Sequence, residues 1–150
     1  MKRTMLLGAF AIAALLVSSC TSWGVRAQST SCNTSGHCQV TVTVNGDGSS
    51  CTFTPVGVIT VGPGHKPDIV WTIQNTGSVQ YHFEAGGIQF NNKADPVPAD
   101  EFDDKGVQAS GAGYRMKDQH KTSGKQYNYK ITVKPASGAA CENDPIVANE

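Results

Sequence analysis

Hydrophobic and polar residues alternate with a period of two along several short stretches of this chain. Residues 38–44 read Cys, Gln, Val, Thr, Val, Thr, Val, and Ile69, Trp71 and Ile73 share one phase. Later, Tyr127, Tyr129, Ile131 and Val133 alternate with Asn128, Lys130, Thr132 and Lys134. Successive side chains of a strand point to opposite faces, so each stretch predicts a β-strand with one buried side. Shorter runs predict strands over 51–55, 57–61 and 113–117, another near Val79, Tyr81 and Phe83, and another near Ile88 and Phe90 after a break at Gly86-Gly87. Turn residues fall between them, as in Asn45-Gly46-Asp47-Gly48, Gly62-Pro63-Gly64 and Asn75-Thr76-Gly77-Ser78. Residues 91–125 hold few large apolar side chains and predict a long contact loop, with a short helix or turn near 100–105. No helical period is long enough to build a bundle. The expected fold is all-β: a single antiparallel two-sheet sandwich of about seven short strands, immunoglobulin-like or cupredoxin-like, over residues 32–150.

One apolar segment does not fit this pattern. Behind Met1, Lys2 and Arg3, residues 5–17 are almost wholly apolar. As a helix this run would span about 20 Å, short of the ~30 Å hydrocarbon core, which suits an export signal better than a membrane span. Val17-Ser18-Ser19-Cys20 follows and resembles the lipobox of bacterial lipoproteins, an aliphatic residue and two small ones before the cysteine. The resemblance implies a signal peptide over 1–19, lipid on Cys20 and a membrane partner reached through that lipid. With Thr21 after the cysteine, it also implies sorting to the periplasmic face of the outer membrane. Residues 20–31 then read as a flexible tether rich in Ser, Thr, Gln and Gly. Cleavage after Val25-Arg26-Ala27 is the competing pattern, and it would start a soluble periplasmic or secreted chain at Gln28.

Of five cysteines, Cys20 leaves with either pattern as an anchor or in the discarded segment, and Cys32, Cys38, Cys51 and Cys141 remain. An even set in an oxidising compartment predicts two disulfides. Gly36 favours a short Cys32–Cys38 loop with Cys51–Cys141 as the second bridge, while the inward phase of Cys38 with Val40, Val42 and Val44 also allows it to meet Cys141. The spacings contain no C-x-x-C, which argues against structural zinc and thiol redox chemistry.

Twelve basic and twelve acidic residues give no net charge over the 150 residues, so nucleic acid is not an expected partner. Two of the cations lie in the signal, which leaves the remainder slightly acidic. Asp95, Asp100, Glu101, Asp103 and Asp104 form an acidic stretch read as a solvated loop, because their spacing is not that of a calcium loop. Arg115, Lys117, Lys121 and Lys125, with Lys130 and Lys134, form a basic stretch that could meet an envelope protein or polymer.

No G-x-S-x-G, H-E-x-x-H or phosphate loop is present, and neither an enzyme nor a bound cofactor is expected. Blue copper needs a late cysteine beside its histidine and methionine, and none lies between Cys51 and Cys141. His82, Met116 and His120 remain as a thiolate-free copper set, and they carry the alternative reading of a periplasmic metal-binding protein. His37 and His65 have no evident partners. The ending Asp144-Pro145-Ile146-Val147-Ala148-Asn149 resembles the Asp-Pro-x-aliphatic-x-Asn endings of small bacterial β-sandwich proteins, a resemblance that implies a fold without a mechanism. The sequence thus reads as an exported, lipid-anchored, non-catalytic binding or structural module of the cell envelope.

Overall fold

The computed structural model describes residues 28–54, 56–90 and 96–150. Cys20, the signal segment, Lys93 and Asp95 lie outside them, as does most of the expected tether.

Eleven strands are described: β1 (Gln28–Cys32), β2 (His37–Gly46), β3 (Cys51–Phe53), β4 (Val56–Val61), β5 (Asp68–Asn75), β6 (Tyr81–Phe90), β7 (Phe102–Val107), β8 (Gly113–Asp118), β9 (Lys125–Pro135), β10 (Cys141–Asn143) and β11 (Ile146–Asn149). They build the expected sandwich. Sheet I runs β1-β4-β11-β9-β10, with β6 also paired to β9, and sheet II runs β3-β2-β5-β8-β7.

Both sheets are mixed rather than antiparallel, because β1 with β4, β4 with β11 and β2 with β5 are parallel pairs. Parallel pairing of short strands needs crossovers between the sheets, and sequence alternation carries no information about direction.

Three further expectations are corrected. Residues 28–31, read as tether, form β1, where they pair with β4 from Gln28↔Val56 onward. Gly57 makes this approach feasible, since a Cβ there would stand 2.6 Å from the Gln28 carbonyl carbon. The two strands expected around Gly86-Gly87 are one strand, β6, whose register against β9 shifts between Phe83 and Ile88. Gly86 takes a φ of 73° there, so the glycines make a bulge and not a turn. Residues 102–107 are strand β7, not helix, and together with β8 they remove most of the expected long loop. The C-terminal motif is β11. It continues the ladder of β10 along β9 across Asp144-Pro145, where proline has no N–H to give.

The core lies between the sheets and is sealed by aromatic residues. Trp71 of β5 and Tyr129 of β9 face each other with ring centroids 5.5 Å apart, and the indole N–H donates to the Tyr129 hydroxyl at 3.1 Å. Both are fully buried. That bond satisfies the one polar atom the indole brings inside, and burial pushes the Tyr129 phenol well above its ordinary pKa.

The disulfides are Cys32–Cys38 and Cys51–Cys141, with Cα separations of 5.5 and 5.9 Å. Each joins sheet I to sheet II. Cys32 and Cys38 lie where β1 ends and β2 begins, whereas Cys51 pairs with Gly46 at the far end of β2, so the bridges close opposite ends of the sandwich. In the loop-entropy picture the longer bridge is worth about 4–5 kcal/mol and the shorter about 2 kcal/mol. Urea denaturation of the double variants Cys51→Ser/Cys141→Ser and Cys32→Ser/Cys38→Ser should therefore show the larger loss in the first pair.

Candidate functional site

The alternation that fills the core also turns polar side chains inward at one end of the sandwich. Along β8, Tyr114, Met116 and Asp118 face in, and along β11, Val147 and Asn149 do. Glu101 joins them from the turn before β7, held by its own N–H to the Pro98 carbonyl at 3.0 Å. Glu101 and Asp118 are fully buried and Asn149 is 1% exposed.

These three side chains touch. The Asn149 amide N–H2 donates to Glu101 Oε1 at 2.8 Å and lies 3.4 Å from Asp118 Oδ1. Glu101 also accepts from the backbone N–H of Lys121 at 3.1 Å and from the Thr122 hydroxyl at 3.1 Å. The Thr122 hydroxyl in turn contacts that of Tyr127. Asp118 Oδ1 accepts from the backbone N–H of His120 at 2.7 Å, and this small turn carries His120 at a φ of 43°. The His120 ring reaches the main-chain oxygen of Glu150 at 3.0 Å through Nε2. Glu101, read as part of a solvated acidic loop, is therefore a core residue.

Burial, with the negative charge of Glu101 beside it, pushes the Asp118 carboxyl up to about 6, against the hydrogen bond from the His120 N–H. Around the cluster the charged rim is closed on itself. Lys121 pairs with Asp100, Lys105 with Asp103 at 2.5 Å, and Tyr114 donates to Asp104 at 2.7 Å. A shallow depression of about 410 Å³ lies over this rim, lined by Asp100, Phe102, Asp103, Asp104, Gln119 and Lys121.

The copper set is not brought together. The Met116 side chain is buried in the core, and His82 lies on the outer side of β6, 4.0 Å from Glu84. Gly111 packs on His82 before β8 begins, whereas His120 follows its end, so the two histidines are roughly 20 Å apart at ~3.3 Å per strand residue. Among the described residues no three His, Cys, Asp or Glu side chains group as metal ligands.

The basic residues do not form one face either. Arg115 and Lys117 are on the outer side of sheet II and Lys130 and Lys134 on that of sheet I, while Lys121 and Lys125 sit at the polar end. Arg115 is bound to Asp68 at 2.6 Å, Lys130 to Glu142 at 3.2 Å and Lys134 to Glu84 at 2.7 Å. The strands that separate these cations in space are consecutive in sequence, which produced the apparent cluster.

Sequence reasoning missed Asp118 and Asn149 as site residues, although their phase was readable. Asp118 continues the inward series of Tyr114 and Met116, and Asn149 that of Val147. No protein-family model and no curated protein matches the chain.

Asp118 has a raised folded pKa, so its contribution to stability is complete below about pH 4 and is lost as the pH rises through about 6. In buffer free of divalent ions, urea denaturation of the wild type should show a loss on the order of 2–3 kcal/mol across that window. The Asp118→Asn variant should lack this slope, and an unchanged slope would refute the assignment. Asn149→Leu should cost about 3 kcal/mol by leaving buried carboxylate oxygens without their donor.

Proposed function

We propose that the chain is an exported, lipid-anchored, non-catalytic binding or structural module of the bacterial cell envelope. The division of the cysteines carries this reading. Four of the five pair across the sandwich, and the fifth, Cys20, stands at the lipobox position behind a basic start and a short apolar run. Disulfides persist in oxidising compartments, which accords with export.

With residues 28–31 in β1, at most residues 21–27 are left to act as a tether, a reach of about 25 Å at full extension. The domain would therefore ride close to the bilayer. Cleavage after Ala27 would keep all eleven strands, so the fold suits either processing pattern and the anchor must be tested chemically.

Mass spectrometry of the mature N-terminus in an envelope-bearing host should find a diacylglyceryl cysteine at position 20. The Cys20→Ala variant should move from the membrane fraction to the soluble one. A mature chain that begins at Gln28 refutes the anchor.

A further inference from the structure

The cluster at the polar end contains more acceptors than donors. Asp118 Oδ2 and Asn149 Oδ1 are buried and receive no hydrogen bond from the chain, and neither does His120 Nδ1. These are three of the five such side-chain atoms among the described residues, and they belong to side chains in contact or two positions apart. The tautomer of the neutral His120 ring is set by its other nitrogen. The main-chain oxygen of Glu150 can only accept, so Nε2 carries a proton and in the neutral ring Nδ1 presents a bare lone pair.

Asn149 has a fixed orientation for the same reason. Its N–H2 faces Glu101 Oε1 and Asp118 Oδ1, which leaves its amide oxygen as the orphan. A carboxylate oxygen, an amide oxygen and an imidazole nitrogen are all metal-ligating atoms, and buried lone pairs without a partner are costly. The hydrogen bonds described to Glu101 and Asp118 come from neutral donors, so none of those bonds brings a full positive charge to the carboxylates.

We propose that Asp118 Oδ2, Asn149 Oδ1 and His120 Nδ1 bind one divalent cation. The imidazole favours a borderline ion such as Zn²⁺ over Ca²⁺, and the absence of sulfur from the set disfavours Cu⁺. The ion enters beside His120, which is half-buried, while Ser123 and Glu150 next to it are exposed. Such an ion would join the end of β8 to β11 and so tie one sheet to the other. Glu101 supports it as a positioning residue, since it holds the Asn149 amide and turns the amide oxygen toward the ion. This site is independent of the anchor and shares only His120 with the copper set.

The test is calorimetric titration of the full chain, purified in detergent and stripped with EDTA, using ZnCl2 with MnCl2 and CaCl2 in parallel. Wild-type protein should bind one Zn²⁺ per chain, and its melting temperature should rise with Zn²⁺ concentration. His120→Asn should weaken binding by about tenfold or more while the protein still folds, because asparagine also adopts a positive φ. Asp118→Asn should lose binding too, and His82→Gln should keep it. The proposal is overturned if the wild type binds no Zn²⁺, if it binds Ca²⁺ alone, if His120→Asn binds as tightly as the wild type, or if His82→Gln is the variant that loses the ion.

Discussion

The amide of Asn149 is the interaction on which the polar end of the molecule depends. It comes from β11 in sheet I and meets Asp118 at the end of β8 in sheet II, with Glu101 arriving from the turn between the sheets. Elsewhere the sheets are held by the two disulfides, the Trp71–Tyr129 hydrogen bond and apolar packing, and packing alone tolerates small slips of one layer over the other. A buried amide with two carboxylate partners does not, because any slip strands a charge away from water and from its donor. The C-terminal strand is short, only Ile146–Asn149, and its side-chain grip on the far sheet ends in this one residue. Pro145, just before the strand, and Val147 within it are buried, so the Asp-Pro-x-aliphatic-x-Asn ending is a short strand with its inward positions filled and a polar hook at its tip.

The remaining constraints work from the two ends inward. Each disulfide crosses from one sheet to the other, and Trp71 and Tyr129 fill the space between them with a hydrogen bond that leaves no indole N–H unpaired. A domain of this size with many short strands buries limited apolar area per strand, so covalent closure of both ends offsets chain entropy that packing alone would have to meet. The polar cluster lies beside the shorter bridge, whose small loop constrains the unfolded chain least. Hydrogen bonding is thus concentrated where the covalent constraint is weaker.

Strand positions were legible in the sequence because half-buried strands print their period directly, as 38–44 and 127–133 do. Their directions were not, since a parallel pair and an antiparallel pair alternate alike. β7 escaped because Phe102, Asp103, Asp104 and Lys105 form an edge strand in which three of four side chains are wet, and edge strands carry no strict alternation. β10 and β11 escaped because three or four residues are too few to show a period. The cysteine pairing was half-legible, with Gly36 favouring the short loop while the phase of Cys38 pointed equally well inward. For the polar end, the phase of Asp118 and Asn149 was printed, yet an acid and an amide on an inward phase read as noise until partners appear. Glu101 had no phase at all, because a turn places it.

Strand direction also settles how the two ends of the sandwich relate to the proposed anchor. β1, β4 and β11 are parallel neighbours, and their registers place Gln28 beside Val56 and place Cys32 and Asn149 on either side of Val61. The chain therefore enters the domain at the end opposite the Asn149 cluster, separated from it by the length of β1, about 13 Å at ~3.3 Å per residue. An anchor at Cys20, as proposed, would pull on the Gln28 end and leave the polar end pointing away from the bilayer. Had β1 paired antiparallel to β4, the same tether would press the cluster and the depression above it against the headgroups. The parallel pairing that the sequence could not reveal is what places the carboxylates, His120 and their rim at the end opposite Gln28.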